Sequence, residues 1–277
     1  MLLGALLVTA ASLVFAVNGA LVKMLAPDTP NTVIVFCRNA MALVVLLPWY
    51  LAPARRAGLK TVHPLRHLTR TASGLGAMYL FFFILGRMPL AEAVLLSFTA
   101  PLFIPLVARA WIKEAIVART RWAIALGFVG VVMILRPGSG LFQPVALLGL
   151  LSGMLVAVAM VSIRRMSDTE PPGRIVFYFT ALSALISALP LPWTWQTPPP
   201  AILGMLLLVA MLAVCGQMLS TRGYGLAPSA RVAPFTYTMV VFSALLGWLL
   251  WGEAVGPLTW VGAAAICGAG TLSTRGR

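Results

Sequence analysis

Eight side chains in a very apolar chain carry the groups that could handle a solute. Asn18 and Gln217 offer amides, Tyr79 and Tyr237 phenols, and Ser97, Thr99 and Thr236 aliphatic hydroxyls, with the Phe98 ring between two of these. They are neutral donors and acceptors, suited to holding an amino and a carboxyl group and poorly suited to activating a nucleophile. No catalytic pattern accompanies them: HExxH, GxSxG, paired carboxylates deep in an apolar run and acidic phosphate-handling motifs are missing. Binding is therefore expected, with no catalytic residue and no metal site. His63 and His67 are four apart, but Pro64 between them spoils a helical metal pair. Cys37, Cys215 and Cys267 lie inside apolar runs without CxxC spacing and are read as packing residues.

In hydrocarbon a polar side chain is costly, so one kept in mid-span tends to face the bundle interior or a water-filled path. Ser and Thr also bond their own helix backbone, which makes structural duty the first reading of Ser97, Thr99, Ser162 and Thr236. Asn18, Gln217, Tyr79 and Tyr237 are the stronger pathway candidates. Phe81, Phe82, Phe83 and Phe235 add rings, though consecutive residues point about 100° apart round a helix, so some must face lipid. Phe98 and Tyr237, each flanked by hydroxyl residues, would suit an apolar amino-acid side chain. Pro101, Pro105 and Pro234 remove backbone hydrogen bonds and are expected to bend their spans, as gating or pocket devices. Arg38 could draw an anion, but snorkelling or structural pairing is the preferred reading. Arg222 and Arg231 flank a turn, where setting topology is as good an account as attracting a carboxylate. Glu92, Glu114 and Glu253 lie near span ends, so no interior carboxylate is expected to carry a proton.

The elements that must position these residues follow from composition. Of 277 residues, 61% are hydrophobic and 9% charged, with a mean hydropathy of +0.98. A crossing needs roughly 20 apolar residues, and runs ended by Pro, Gly or charge predict ten spans: 2–25, 32–51, 71–85, 91–112, 122–135, 145–163, 175–193, 201–221, 229–251 and 258–272. The net charge of +14 arises between apolar runs, where it sets orientation, so nucleic acid is not an expected partner. Alternate loops divide unevenly. One side holds Arg55, Arg56, Lys60, Arg66, Arg70, Lys113, Arg119, Arg121, Arg164, Arg165, Arg174, Arg275 and Arg277, and the other only Lys23, Arg87 and Arg136. That bias predicts a multi-pass protein of the cell inner membrane with both termini cytoplasmic. The first apolar run follows Met1 without a basic segment, so cleavage of a signal peptide is not expected.

A shift of 139 positions lays Gly86, Pro89, Ala91, Thr99, Phe103, Leu106, Glu114 and Ala115 onto Gly225, Pro228, Ala230, Thr238, Phe242, Leu245, Glu253 and Ala254. Two halves follow, 1–138 and 143–277, divided at the Arg136-Pro137-Gly138-Ser139-Gly140 linker. With five spans each they must lie in opposite orientations, a plan that lets two equivalent halves exchange conformations and alternate access to a site between them. Spans 5 and 10 carry Gly127, Gly130, Gly262, Gly268 and Gly270, which read as close-packing elements and a dimer contact.

The run Leu-Leu-Gly-Trp-Leu-Leu-Trp-Gly-Glu at 245–253 with Trp260, its counterpart ending at Lys113-Glu114 with Trp122, and Arg38 in span 2 resemble the paired EamA domains of the drug/metabolite transporter superfamily over nearly the whole chain. The aromatic middle spans are most similar to YddG-type amino-acid exporters. The resemblance implies an all-α membrane protein, a ten-helix basket around a central cavity, no cofactor, and a monomer or weak homodimer in lipid. The expected function is a secondary transporter exporting small organic solutes, neutral and aromatic amino acids first, by alternating access. A metabolite or drug carrier of other specificity is the alternative; a channel or a membrane-embedded enzyme fits less well, since neither a selectivity filter nor a catalytic motif is seen.

Overall fold

The computed structural model describes residues 2–51, 60–113, 118–135, 144–166, 169–225 and 233–274. Arg55, Arg56, Glu114, the 136–140 linker, Arg231, Arg275 and Arg277, all used in the sequence reading, lie outside the described residues. The described chain is helical: α1 (Leu2–Leu25), α2 (Asn31–Leu51), α3 (Pro64–Leu85), α4 (Leu90–Ser97), α5 (Ala100–Ile112), α6 (Ala118–Leu135), α7 (Ala146–Met166), α8 (Pro172–Ala188), α9 (Leu191–Thr194), α10 (Pro200–Gly225), a 3₁₀ turn (Ala233–Tyr237), α11 (Thr238–Trp251) and α12 (Pro257–Thr274). Pro64, Pro172, Pro200 and Pro257 each open a helix, the position where the missing N–H costs nothing. Five apolar helical stretches among the described residues are long enough to cross a membrane: Leu2–Leu25, Pro64–Leu85, Leu90–Trp111, Ala146–Ile163 and Pro200–Ser220. Asn31–Leu47, Ile124–Met133, Gly173–Ala188, Phe235–Trp251 and Pro257–Ala269 are shorter apolar helices, and they stand at the other expected spans.

Packing follows the repeat. α1 packs on α10 as α3 packs on α7; α7 packs on α4 and α5 as α1 packs on α11 and its 3₁₀ turn; α2 meets α8, and α6 meets α12. Every one of these contacts maps onto another, or onto itself, when the halves are exchanged. The helix ends repeat as well. Lys113 closes α5 in the left-handed region (φ 56°), its N–H bonded to the Ala108 carbonyl, and Gly252 closes α11 likewise (φ 66°), bonded to Gly247 and Trp248. Gly252 takes that conformation without strain, whereas Lys113 does so against its own Cβ.

The core runs through the centre of both halves, with Leu25, Ile34, Leu95, Leu206 and Ile266 shut from solvent. Of the glycines of spans 5 and 10, Gly130 packs closely on the other half of the chain, since a Cβ there would fall 2.6 Å from the Gly262 carbonyl oxygen; Gly127 packs on Leu102 of its own half, and a Cβ on Gly268 would meet nothing within 4 Å. Trp193 and Trp195 near one end and Trp111 and Trp122 near the other are exposed, as interfacial aromatic belts require.

One boundary differs from expectation by two turns. α3 begins at Pro64, where the sequence reading began its span at 71, so Arg66, His67 and Arg70 are helical. The charges that mark a loop are accommodated here by their reach: Arg66 Nη1 donates to the Arg165 carbonyl (2.9 Å), and Arg70 lies over the Phe179 ring.

Candidate functional site

The fourth span is broken at Phe98–Thr99, between α4 and α5. Pro101 explains the position: it has no N–H for the carbonyl four residues back, that of Ser97, so the helix stops at Ser97 and restarts with Pro101 in its first turn. Pro105 lies inside α5, and Pro234 lies in the 3₁₀ turn that replaces α-helix at the start of the ninth span. The two interruptions are equivalent. Thr99 Oγ1 donates to the Leu96 carbonyl at 2.6 Å, and its counterpart Thr238 Oγ1 donates to the Phe235 carbonyl at 2.6 Å. Thr99 and Thr238 thus each bond back to a carbonyl three residues earlier at the break. Thr99 Oγ1 occupies space that a Cβ on Gly153 of α7 would invade at 2.4 Å.

The equivalent rings meet: Phe98 and Tyr237 lie 6.2 Å apart between centroids, tilted by 56°. Both are half-buried. The turn carrying Thr236 is held against α1, where Ser12 Oγ lies 3.4 Å from the carbonyls of Phe235 and Thr236. On the other side of the break the Ser97 hydroxyl is buried with no hydrogen-bond partner among the described residues, and the same holds for the Tyr79 hydroxyl on α3. Neither hydroxyl is committed to another group among the described residues. Asn18 is committed, since its amide donates to the Val209 carbonyl at 2.6 Å and so clips α1 to α10. Gln217 is exposed on α10, next to Gly216, which yields room to Phe15.

Arranged this way, interrupted helices from two equivalent halves meet at aromatic rings, with the Ser97 hydroxyl next in the chain to Phe98. Comparison with known proteins decides what kind of protein carries it. The model of the EamA-like transporter family matches residues 2–136 and again 143–275. The chain belongs to the EamA-like transporter family. This places it in the drug/metabolite transporter superfamily and makes it a transporter of small solutes, not an enzyme. A pseudopaline exporter, CntI, of Pseudomonas aeruginosa is 33% identical over 95% of this chain and 93% of its own. A riboflavin transporter of Rhizobium johnstonii is 30% identical over 98% and 91%, and an S-adenosylmethionine uptake transporter of Rickettsia bellii is 25% identical over 85% and 81%. A crystal structure at 20% identity superposes with a TM-score of 0.65, covering 98% of this chain and 97% of that one, which speaks to fold alone.

Two polar clusters of this transporter were not read from its sequence. At one end Lys23 Nζ pairs with Glu253 Oε1 and donates to the Met88 carbonyl (2.7 Å), while Glu253 Oε2 accepts the Leu90 N–H (2.8 Å). At the other end Glu170, fully buried between α7 and α8, accepts from Thr61 Oγ1 (2.6 Å) and Arg174 Nη1 (2.7 Å). Burial pushes the Glu170 carboxyl up, but the hydrogen bonds from Thr61 and Arg174 and the Arg174 charge outweigh it and hold it below its ordinary value. His67 is buried within α3 and not in a loop, stacked on Tyr178 at 4.5 Å with its Nε2 3.7 Å from Glu170. Thr61 and Glu170 are 109 residues apart, so only the Glu170–Arg174 spacing, an i, i+4 pair, was a local signal. Beside this cluster a cleft is lined by Leu65, Arg66, Thr69, Trp111, Ser162 and Arg165.

Proposed function

We propose that the transporter exports small organic solutes by alternating access, with neutral and aromatic amino acids the first class to test. The observation that carries this reading is the meeting of Phe98 and Tyr237 at two equivalent helix breaks. Interrupted helices in the two halves of a carrier are where solute sites form, because freed backbone groups and unpaired side chains face a cavity there. The Ser97 and Tyr79 hydroxyls supply hydrogen bonds to a solute, and the rings supply an apolar wall. A second reading, a metabolite carrier of other specificity, is favoured by the relatives, whose names give pseudopaline, riboflavin and S-adenosylmethionine. Export is favoured by the most similar of these three, at 33% identity, being named an exporter.

Counterflow in proteoliposomes, screened over labelled amino acids, riboflavin and S-adenosylmethionine, tests the reading. Saturable flux with counterflow, reduced at least tenfold by Tyr237→Ala with folding intact, is the expected result. Flux that rises linearly with concentration, or is unchanged in Tyr237→Ala and Tyr79→Phe, would overturn it. We place both termini in the cytoplasm. Single cysteines at Thr169 and Thr197, in a background without Cys37, Cys215 and Cys267, should then label from the inside and the outside respectively.

A further inference from the structure

Two arginines inside the helix bundle have no acid to pair with among the described residues. Arg38 is seven residues into α2, and its Nη1 reaches Asn39 Oδ1 (3.1 Å) and Met78 Sδ (3.3 Å) on α3. Arg70 runs along α3 away from the near end: a Cβ on Gly74 would fall 2.3 Å from Arg70 Nη1, and Arg70 Cζ lies 3.6 Å from the centroid of the Phe179 ring on α8. Residues 70, 74 and 78 form one stripe of α3, so the two guanidinium groups stand about one turn apart, ~5 Å along the axis. Met78 is seven residues from the end of α3, as Arg38 is from the start of α2, which sets the Arg38 head ~10 Å in from that end of the bundle.

Neither head snorkels. Arg38 ends on Met78 and Arg70 turns inward past Gly74. Among the described residues neither makes an ion pair, and Arg38 Nε and Arg70 Nε and Nη1 are shut from solvent with no acceptor. Arg70 lies in the repulsive field of Arg38. The acids that have described contacts are committed elsewhere: Glu170 to Thr61 and Arg174, Glu253 to Lys23 and the Leu90 N–H, and Glu92 to Thr259. Like charges desolvated together are unfavourable unless an opposite charge joins them. Gly74 further shows that the sequence makes room for the Arg70 head in place of a side chain.

We propose that Arg38 and Arg70 form a binding site for an oxyanion, the carboxylate or phosphate group of an organic solute that the protein carries, with Phe179 and Met78 flanking its organic part. Guanidinium forks match both oxyanions, offering parallel N–H donors to paired oxygens. The proposal rests on the carrier reading and assigns it a charged class of solute. It also replaces the structural role expected for Arg38 from sequence.

The test is thermal unfolding of the purified protein in neutral detergent, followed by tryptophan fluorescence, with benzoate, phenyl phosphate, inorganic phosphate and the neutral isostere benzamide at equal ionic strength. A rise of several degrees in Tm with benzoate or phenyl phosphate, absent with benzamide and lost in Arg38→Gln and in Arg70→Gln, is expected; the stronger ligand names the oxyanion. Without ligand, the two variants should match or exceed the parent in Tm, because each removes a repulsive charge. No rise with either organic anion, an equal rise in the variants, or a rise with inorganic phosphate alone overturns the proposal. So does a loss of several degrees in both variants without ligand, which is the mark of a structural role. Failure of the carrier reading is distinguishable: ligand stabilisation through these arginines with no counterflow of any solute would refute transport and leave the site standing.

Discussion

Removing the Glu253 carboxylate tests what ties one end of the bundle together. That group sits where three helices terminate, pairing with Lys23 at the end of α1 and accepting the Leu90 N–H (2.8 Å) at the first residue of α4, from a position just beyond α11. Gly247 makes room for it, since a Cβ there would fall 2.6 Å from Glu253 Oε2. The side chains of Lys23 and Glu253 are only 11% and 16% exposed, so water screens the pair less than it screens a surface bridge. An N-terminal cap is worth ~1 kcal/mol, and the ion pair, set between the values for exposed and buried pairs, about 1–3 kcal/mol. Glu253→Ala loses both contributions, about 2–4 kcal/mol, whereas Glu253→Gln keeps an acceptor for Leu90 and loses about 1–3 kcal/mol. For a chain of this size 1 kcal/mol corresponds to roughly 2–4 °C in Tm, so the alanine variant should melt about 5–15 °C early.

Tryptophan fluorescence melts at one fixed scan rate, on the parent, Glu253→Gln, Lys23→Met and the double variant, measure the coupling. Lys23→Met leaves the carboxylate without its cation, so the double variant should be less destabilised than the sum of the singles by about 1–2 kcal/mol. Additive shifts, or a Glu253→Ala melt within about 1 °C of the parent, would refute the reasoning, because contacts that support one helix end through one carboxylate cannot be lost for nothing.

Gly130→Ala should lower Tm by several degrees, since its Cβ would meet the Gly262 carbonyl oxygen at 2.6 Å and the α6–α12 pair must separate, at a cost of about 1–3 kcal/mol; Gly204→Ala, with nothing within 4 Å, should not. Glu170 gives a pH dependence. Its folded pKa lies below the unfolded one, so its contribution is complete above the unfolded value, roughly 4.3, and is lost as pH falls through the folded value. Melts taken between pH 6 and pH 3 should therefore show a decline that is smaller in Glu170→Gln, and equal slopes in the two proteins would count against it.

The spans and the repeat were legible because both depend on local features: long apolar runs, and Gly, Pro and Glu at matching places in two halves. The helix breaks were legible in part. Pro101 announces an interruption near Ser97 by a rule of covalent geometry, but the matching 3₁₀ turn at Ala233–Tyr237 begins beside a different proline, Pro234, at a position not equivalent to Pro101. The bend is shared while the residue that causes it is not, so only the hydroxyls of Thr99 and Thr238 betray the equivalence. Asn18 illustrates the opposite case. A buried amide in a span advertises a partner without saying which, and the partner is the Val209 carbonyl, 191 residues away. Arg70 was assigned to a loop because a charge near an apolar run ordinarily ends it. Nothing local says that Gly74 and Phe179 would seat its head inside.

Charge placement bears on how such a carrier could be driven. Every acid with described contacts is tied to a cation, a backbone N–H or a hydroxyl: Glu253 to Lys23 and Leu90, Glu170 to Thr61 and Arg174, Glu92 to Thr259. Carboxylates so engaged at helix ends are poorly placed to load a proton on one side of the membrane and release it on the other. If the solute is an anion held by Arg38 and Arg70, no proton is needed for export. A membrane negative inside drives one negative charge outward with about 2.3 kcal/mol per 100 mV, equivalent to a roughly 50-fold concentration ratio. We therefore expect facilitated diffusion whose outward flux responds to voltage and not to pH. Proteoliposomes loaded with a carried anion, given a potassium diffusion potential through valinomycin at equal pH, should release it several-fold faster when negative inside. An imposed pH gradient at matched potential should change nothing. Uphill accumulation driven by that pH gradient and abolished by Glu92→Gln would refute the uncoupled scheme and make Glu92 the proton carrier.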